Sequence, residues 1–235
     1  GTGFQLHYQP ILSLAGEATE RYDAFLRLDN NGELVAPAVF IGLAEEHGLL
    51  GRINCWVVRQ AIRVMGERKR AGHLTHLNVR VGPESFNDPQ YLLTISQELA
   101  SQGVDGSQLS LQVSEAKVYT NLRAAQQFLK DIGLTGCQIV LDQFGSGLDS
   151  AQLLSHFHPS FIKLDRSFTA DYNQVREQQE KIETIAKRAS ELGIQTIAEF
   201  VSDAASMSQL FTAGVHYVQG EFVGPVQPQM DFEFG

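Results

Sequence analysis

The sequence predicts an α/β fold, a (β/α)8 TIM-like barrel, on three observations. Short apolar strands alternate with amphipathic helical stretches, the strands number eight, and 235 residues is close to the length such a barrel needs. A doubly wound open sheet is the competing fold, but it usually opens with a Gly-rich phosphate loop, and no G-x-G-x-x-G or P-loop pattern occurs here.

The first strand is expected over Phe4–Leu12 and the second over Thr19–Leu28, with Gly16 between them, so the barrel should begin as a hairpin with an irregular, antiparallel first strand. A helical region follows from Pro37 to about Ala71 with a break at Gly48 to Gly51. In it Phe40, Ile41 and Ala44, then Ile53, Trp56, Val57, Ala61 and Val64, recur at spacings of three and four. The remaining strands are read at His76–Val81, Gln108–Ser114, Gln138–Asp142, Phe161–Leu164, Ile194–Ala198 and Val215–Val218. The clearest helix between them is Gln174–Leu192, where Val175, Ile182, Ile185, Ala189 and Leu192 share a face and Gly193 is the stop. No linker, repeat or low-complexity tract interrupts the pattern, so residues 1–235 are expected to form one domain.

An apolar fraction of 43% supports a substantial core and excludes a disordered chain. With 18 Lys+Arg against 27 Asp+Glu the formal net charge is -9, which argues against a DNA or RNA polymer as partner. A small anion held in a focused pocket stays compatible with that charge. No apolar run reaches the ~18 residues of a membrane span, so membrane insertion is not expected. The chain opens Gly1-Thr2-Gly3 without Met, basic n-region or apolar h-region, so no signal peptide is expected, and the chain reads as an excised domain. The two cysteines, Cys55 and Cys137, belong to no C-x-x-C pair, which fits a reducing, cytoplasmic setting. His156 and His158 flank Phe157 before Pro159, a spacing that suits no known zinc motif.

In a (β/α)8 barrel the chemistry sits where strands run out, so the polar residue ending each strand is informative. Those residues are Arg27, Asn78, Gln112 with Glu115 beyond it, Asp142 with Gln143, Lys163, Glu199, and Gln219 with Gly220. Any one of them could simply meet solvent or cap a helix. Lys163, inside Phe161-Ile162-Lys163-Leu164, must reach a carboxylate, a ligand or solvent, because an unpaired buried ammonium is costly.

Tyr8-Gln9-Pro10-Ile11, Asp23-Ala24-Phe25-Leu26-Arg27, Phe40-Ile41 with Ala44-Glu45 and Leu77-Asn78-Val79 are followed by Leu141-Asp142-Gln143-Phe144-Gly145-Ser146-Gly147. Phe161-Ile162-Lys163-Leu164-Asp165, Ile197-Ala198-Glu199 and Val218-Gln219-Gly220 complete the series. In order and spacing these blocks resemble the EAL domain family from about Phe4 to Pro225. The resemblance implies a barrel that binds cyclic di-GMP, which active members hydrolyse with two divalent metals. Against that pattern the Glu metal ligand of the name motif is Asp23, the first Glu of an E-x-T-E block is Gln112, and the second Asp of a D-D-F-G block is Gln143. Asn78, Glu115, Asp142 and Lys163 are retained. Divalent ions are held mainly by anionic oxygens, so the resemblance with these departures implies no catalytic residue, no bound metal and no required cofactor.

The positions implied to hold the dinucleotide are Gln9, Phe25, Leu26, Arg27, Asn54, Glu199, Phe200, Gln219 and Gly220. Arg27 matches a phosphate-binding arginine, whose planar fork suits the oxygens. Asn54 stands where many members carry an Asp facing a guanine edge. Phe200, in place of a Gly, either stacks on a base or packs between strand and helix. The degenerate acids, together with the tail from Pro225 to Phe232, are similar to the EAL domain of FimX-type regulators. That likeness implies the C-terminal part of a larger multidomain protein, a nucleotide receptor acting in type IV pilus biogenesis and twitching motility, and a PilZ-type adaptor as partner. A weakly active metal-dependent phosphodiesterase is the alternative, and a scaffold binding neither nucleotide nor metal is the third reading.

Overall fold

A computed structural model describes residues 3–147, 149–169 and 176–234. Its strands are β1 (Phe4–Pro10), β2 (Leu12–Ser13), β3 (Glu20–Asn30), β4 (Glu33–Val35), β5 (Thr75–Arg80), β6 (Leu109–Ser114), β7 (Gln138–Phe144), β8 (Phe161–Leu164), β9 (Gln195–Ala198) and β10 (Tyr217–Val218). β3, β5, β6, β7, β8, β9 and β10 run parallel in that order. β1 pairs antiparallel with β3, and β2 pairs antiparallel with β10. Only Ile11 separates β1 from β2, so this segment is the eighth stave and closes the barrel against the parallel direction. The reason is the connection: a short turn containing Gly16, at φ 77°, can join only antiparallel strands, whereas a parallel pair needs a helical crossover. The expected (β/α)8 barrel with an antiparallel first strand is therefore the observed one.

β4 is an addition to the expected elements. Asn31 and Gly32, at φ 55° and 91°, turn β3 back on itself with the left-handed pair that tight hairpins require, and Leu28 faces Val35 across the new ladder.

The helices are α1 (Pro37–Glu46), α2 (Leu50–Arg70), α3 (Pro89–Gln102), α4 (Glu115–Thr120), α5 (Leu122–Gly133), α6 (Ser150–Leu153), α7 (Arg166–Thr169), α8 (Arg176–Glu191) and α9 (Ala204–Thr212). The break between α1 and α2 lies at His47–Leu49, and Gly51 is inside α2. Ile53, Val57 and Ala61 are buried on α2 as their spacing predicts, and Val58, Ile62 and Met65 complete the face while Trp56 and Val64 sit at its margin. On α8 the buried residues are Ile182, Ala186 and Ala189. Leu192 lies past the helix end and is exposed, and Gln174 and Val175 fall outside the described residues.

Inside the barrel Ile11, Val140, Phe161, Ile197 and Tyr217 form a separate apolar cluster. Arg21 is buried against it, its Cζ 4.5 Å from the Phe161 ring centroid and 5.6 Å from that of Tyr217. On β3, β5 and β8 the next inward position towards the strand C-termini is polar: Asp23 after Arg21, Asn78 after His76 and Lys163 after Phe161. The β-strand alternation thus stacks the tier of Asp23, Asn78 and Lys163 on a layer in which Arg21 and His76 join the apolar cluster.

At the opposite end Glu20 ties β3 to α2 and β5. Its Oε2 accepts from Arg68 Nη2 at 2.8 Å and Thr75 Oγ1 at 2.7 Å, and its Oε1 lies 2.7 Å from His73 Nδ1. Burial alone would raise its pKa, but the hydrogen bonds from Arg68, His73 and Thr75 outweigh it and bring the carboxyl from 4.5 down to about 2. A depressed folded pKa contributes stability above the unfolded value and loses it as pH falls. Acid titration of the unfolding free energy between pH 4.5 and about 2 should therefore show a loss of about 1 to 2 kcal/mol that Glu20→Gln lacks, after allowing for solvent screening. Identical acid slopes in the two proteins would refute the assignment.

Candidate ligand site at the strand C-termini

β8 is four residues long and buried throughout, so the Lys163 side chain stands within the barrel with no exposed surface. Its Nζ donates to Asp23 Oδ2, to Gln219 Oε1 at 2.9 Å and to Glu199 Oε1 at 3.1 Å. Burial pulls the ammonium towards neutrality, but the charges of Asp23, Glu199 and Asp142 outweigh it and hold Lys163 protonated. Burial in turn raises the Glu199 carboxyl, against the opposing pull of Lys163.

The rest of the tier is joined by amides. Asn78 Nδ2 donates to Asp23 Oδ1 at 3.0 Å, and Gln112 Nε2 donates to Asp142 Oδ2 at 2.8 Å. The same Asp142 oxygen lies 3.3 Å from Arg80 Nη2, while Oδ1 accepts from the Gln143 N–H at 2.9 Å. Gln219 Nε2 donates to Gln9 Oε1 at 3.0 Å, and Gln9 Nε2 to the Gly224 carbonyl at 3.0 Å. Among these carboxylate and amide oxygens of the described residues, Asn78 Oδ1 is buried without a hydrogen-bond partner. Among the described residues no group of three or more His, Cys, Asp or Glu is arranged to hold a metal ion.

Two of the singled-out residues face elsewhere. The β7–β8 register shifts between Leu141 and Phe144, and Gln143 takes φ 57°, so its side chain is exposed and accepts from Ser114 Oγ at 3.1 Å. Glu115 starts α4, is buried, and accepts from the Gly145 N–H at 2.9 Å, anchoring the loop after β7.

Above the tier a cavity of about 450 Å3 opens between β1, β3, β9 and β10. Gln9, Phe25, Glu199, Phe200, Gln219 and Gly220 line it, as do Arg80, Arg166, Val201, Ser202, Glu221 and Val226. Phe200 holds φ 62°, is 47% exposed, and lies under Arg166 with Cζ 4.8 Å from the ring centroid. A left-handed phenylalanine is costly backbone for a residue that does so little internal packing.

Leu26, Arg27 and Asn54 do not line this cavity. Leu26 points from β3 into the outer core. Arg27 lies two residues beyond Phe25 on the same side of β3, half-buried, its Nη1 donating to the Leu26 carbonyl at 2.9 Å. Asn54 is held on α2 by Glu84 Oε1 at 2.6 Å and Ser85 Oγ at 2.9 Å. Arg80 and Arg166 were missed. Arg80 was legible, two residues past Asn78 and so on the same inward face, whereas Arg166 follows its strand in a short helix with no periodic signal. A larger depression of about 610 Å3 beside α2 and α3, lined by Phe4, Trp56 and Asp88 among others, holds none of the strand-end residues.

A barrel with a ligand-sized, amide- and arginine-lined mouth above its strand C-termini is a small-molecule-binding (β/α)8 domain. The chain belongs to the EAL domain family, whose model matches residues 1–226. It is similar to the FimX EAL domain of Xanthomonas citri, solved in complex with c-di-GMP, at 57% identity and TM-score 0.96, covering 100% of this chain and 92% of that one. It is also similar to the FimX EAL domain of Pseudomonas aeruginosa bound to c-di-GMP, at 33% identity and TM-score 0.93 over 100% of this chain and 95% of that one. The cyclic di-GMP phosphodiesterase PdeF of Escherichia coli (strain K12) is 28% identical over 229 residues, 97% of this chain and 30% of that protein. The chain thus spans about 30% of the length of that relative. No helix among the described residues is long and apolar enough to cross a membrane.

Proposed function

We propose that this domain is a receptor that binds cyclic di-GMP at the barrel mouth and does not hydrolyse it. The observation that carries the reading is the polar tier. A pair of divalent ions ~3.5 to 4 Å apart needs carboxylates between and around the ions. Here Asp23 is engaged by Lys163 and Asn78, and Asp142 by Gln112, Arg80 and the Gln143 N–H. Gln112 and Gln143 supply no charge. The donor set does not fit two divalent ions, while Arg80 and Arg166 at the mouth, with Arg27 two residues beyond Phe25 on β3, suit a phosphate-bearing ligand on an otherwise acidic chain.

Both FimX domains it resembles hold c-di-GMP in their solved structures, which supports the choice of ligand. Likeness to FimX also supports placing the domain, in the cytoplasm, as the C-terminal part of a longer type IV pilus regulator that signals through a PilZ-type adaptor to twitching motility. The unpartnered Asn78 Oδ1 is the feature that favours the alternative, a weak metal-dependent phosphodiesterase.

Calorimetric titration with cyclic di-GMP, in chelator and in Mg2+ or Mn2+, followed by chromatography of the same samples, separates the readings. The receptor gives metal-independent binding and intact nucleotide. Metal-dependent appearance of linear dinucleotide establishes the phosphodiesterase, and absence of binding leaves a scaffold.

A further inference from the structure

We infer that residues 227–234 are a positioning element of the nucleotide site: docked on the outside of β1 and β3, where a barrel helix would otherwise lie, they hold the side of the cavity formed by Gln9, Gly224 and Val226 in its binding arrangement. The inference rests on the receptor reading above.

In a (β/α)8 barrel each strand is followed by a helix that covers it. Among the described residues no helix follows β10, yet the outward-facing Tyr8 of β1 and Tyr22 of β3 are buried. Residues 227–234 supply the cover. Met230, Phe232 and Phe234 are half-buried against the main core while Gln229, Asp231 and Glu233 are exposed, the alternation of an extended segment rather than a helix. The Phe234 ring meets Tyr22 edge-on at 5.2 Å between centroids and Phe232 at 4.9 Å. Arg68 Nη1 donates to the Met230 carbonyl at 3.1 Å, so the guanidinium that binds Glu20 holds this segment as well. The segment lies past residue 226, where the match to the family model stops.

Two sets of contacts join this cover to the cavity. The Tyr8 N–H donates to the Gln227 carbonyl at 2.7 Å and the Gln227 N–H to the Tyr8 carbonyl at 2.9 Å. That bridge fixes the neighbouring residues Gln9 and Val226, both of which line the cavity. Gln9 Nε2 donates to the Gly224 carbonyl, and the Phe232 ring stands beside Gly224, its Cδ2 3.6 Å from where a Cβ on that glycine would lie. None of residues 227–234 lines the cavity, so their influence on a ligand passes through Gln9, Gly224 and Val226. Gln227, Met230 and Phe232 are the backbone anchor points of the segment, and a stretch held at so few places opens before the barrel does. A site that needs the segment docked favours its docking in return, because coupling is reciprocal.

The test compares wild type with Phe232→Ala/Phe234→Ala in the whole chain, reading cyclic di-GMP affinity by calorimetry and backbone hydrogen exchange with and without the nucleotide. The variant should bind about five- to tenfold more weakly, and Phe232→Leu/Phe234→Leu, which keeps the apolar bulk, should recover most of the loss. In wild type the nucleotide should slow exchange across residues 227–234 by about the same factor. A segment that served packing alone would lower the unfolding midpoint of the alanine variant, leave its affinity unchanged and show no exchange response to nucleotide.

If the alanine variant does not fold, Gln227→Pro removes the N–H that donates to the Tyr8 carbonyl, and it should weaken binding about threefold or more. Wild-type affinity in the variant that folds overturns the inference, as does nucleotide binding that leaves exchange of residues 227–234 unchanged. Failure of wild type to bind nucleotide sinks the receptor reading instead. Exchange in residues 220–224, the turn that carries Gly220 and Gly224, then decides whether the segment holds this wall: faster exchange in the variant supports the inference and equal rates overturn it.

Discussion

Replacing Gly220 with alanine is expected to destabilise the domain by about 2 to 4 kcal/mol and to abolish measurable nucleotide binding. A Cβ at this position would lie 2.3 Å from the Val201 carbonyl oxygen, 2.4 Å from the Val201 nitrogen and 2.9 Å from its carbonyl carbon. All three are backbone atoms, and they are not free to yield. The Val201 N–H donates to the Gln219 carbonyl at 3.0 Å, the Phe222 N–H donates to the Val201 carbonyl at 3.2 Å, and the Gly224 N–H donates to the Gly220 carbonyl at 3.0 Å. Relief therefore requires moving the turn that carries Gln219, Gly220 and Val201, three residues of the cavity wall. Gly193→Ala provides the control. That glycine has φ 71° but nothing within 4 Å of a built Cβ, so only the left-handed backbone cost of about 1 to 2 kcal/mol applies, with binding unchanged. Denaturant unfolding and calorimetry on both variants decide the matter, and equal losses would show that the Val201 contact is not what makes glycine necessary.

The second large effect is expected at Arg27. Truncation to alanine should weaken cyclic di-GMP binding by about 10- to 100-fold, the equivalent of about 1.5 to 3 kcal/mol for hydrogen bonds to a charged group. Burial draws the Arg27 pKa down, and among the described residues no carboxylate is ion-paired with it. It donates to the neighbouring Leu26 carbonyl and lies with Cζ 5.7 Å from the Phe25 ring centroid. A half-buried guanidinium whose donors are left over by the fold is available to an anion. Arg27→Lys should recover only part of the affinity, since an ammonium cannot present the paired donors of the fork. The unfolding free energy of Arg27→Ala should stay within about 1 kcal/mol of wild type, because little internal bonding is lost. Unchanged nucleotide affinity in Arg27→Ala would remove the phosphate role of Arg27 and leave Arg80 and Arg166 as the cations of the mouth.

Much of this architecture is legible in the sequence. β8 was expected at the residues where it lies, and the β1–β3 pairing followed from a turn too short for a crossover. Lys163 had to find a partner, and it found three. Other features escaped for definable reasons. β4 depends on Asn31-Gly32, a hairpin signal too short to stand out between a long strand and a helix start. Gln143 follows Asp142 in sequence, yet the bulge near it breaks the alternation that assigns side chains to faces, and its amide points outward. Asn54 was placed by resemblance alone, and Glu84 and Ser85, some thirty residues away, decide where its side chain goes.

The sequence by itself determined the strand and helix periods, the antiparallel start, the acidic surface around a mouth of retained polar residues, and the absence of charge at Gln112 and Gln143. All of these are local properties, set by side-chain alternation, turn length and residue type. Only the tertiary structure decided that Lys163 gathers Asp23, Glu199 and Gln219, that Arg80 and Arg166 reach the mouth, and that Gly220 must be glycine. Those outcomes depend on barrel closure, which brings residues 140 and 56 positions apart into hydrogen-bond contact through one ammonium, and no period in the chain records such a distance.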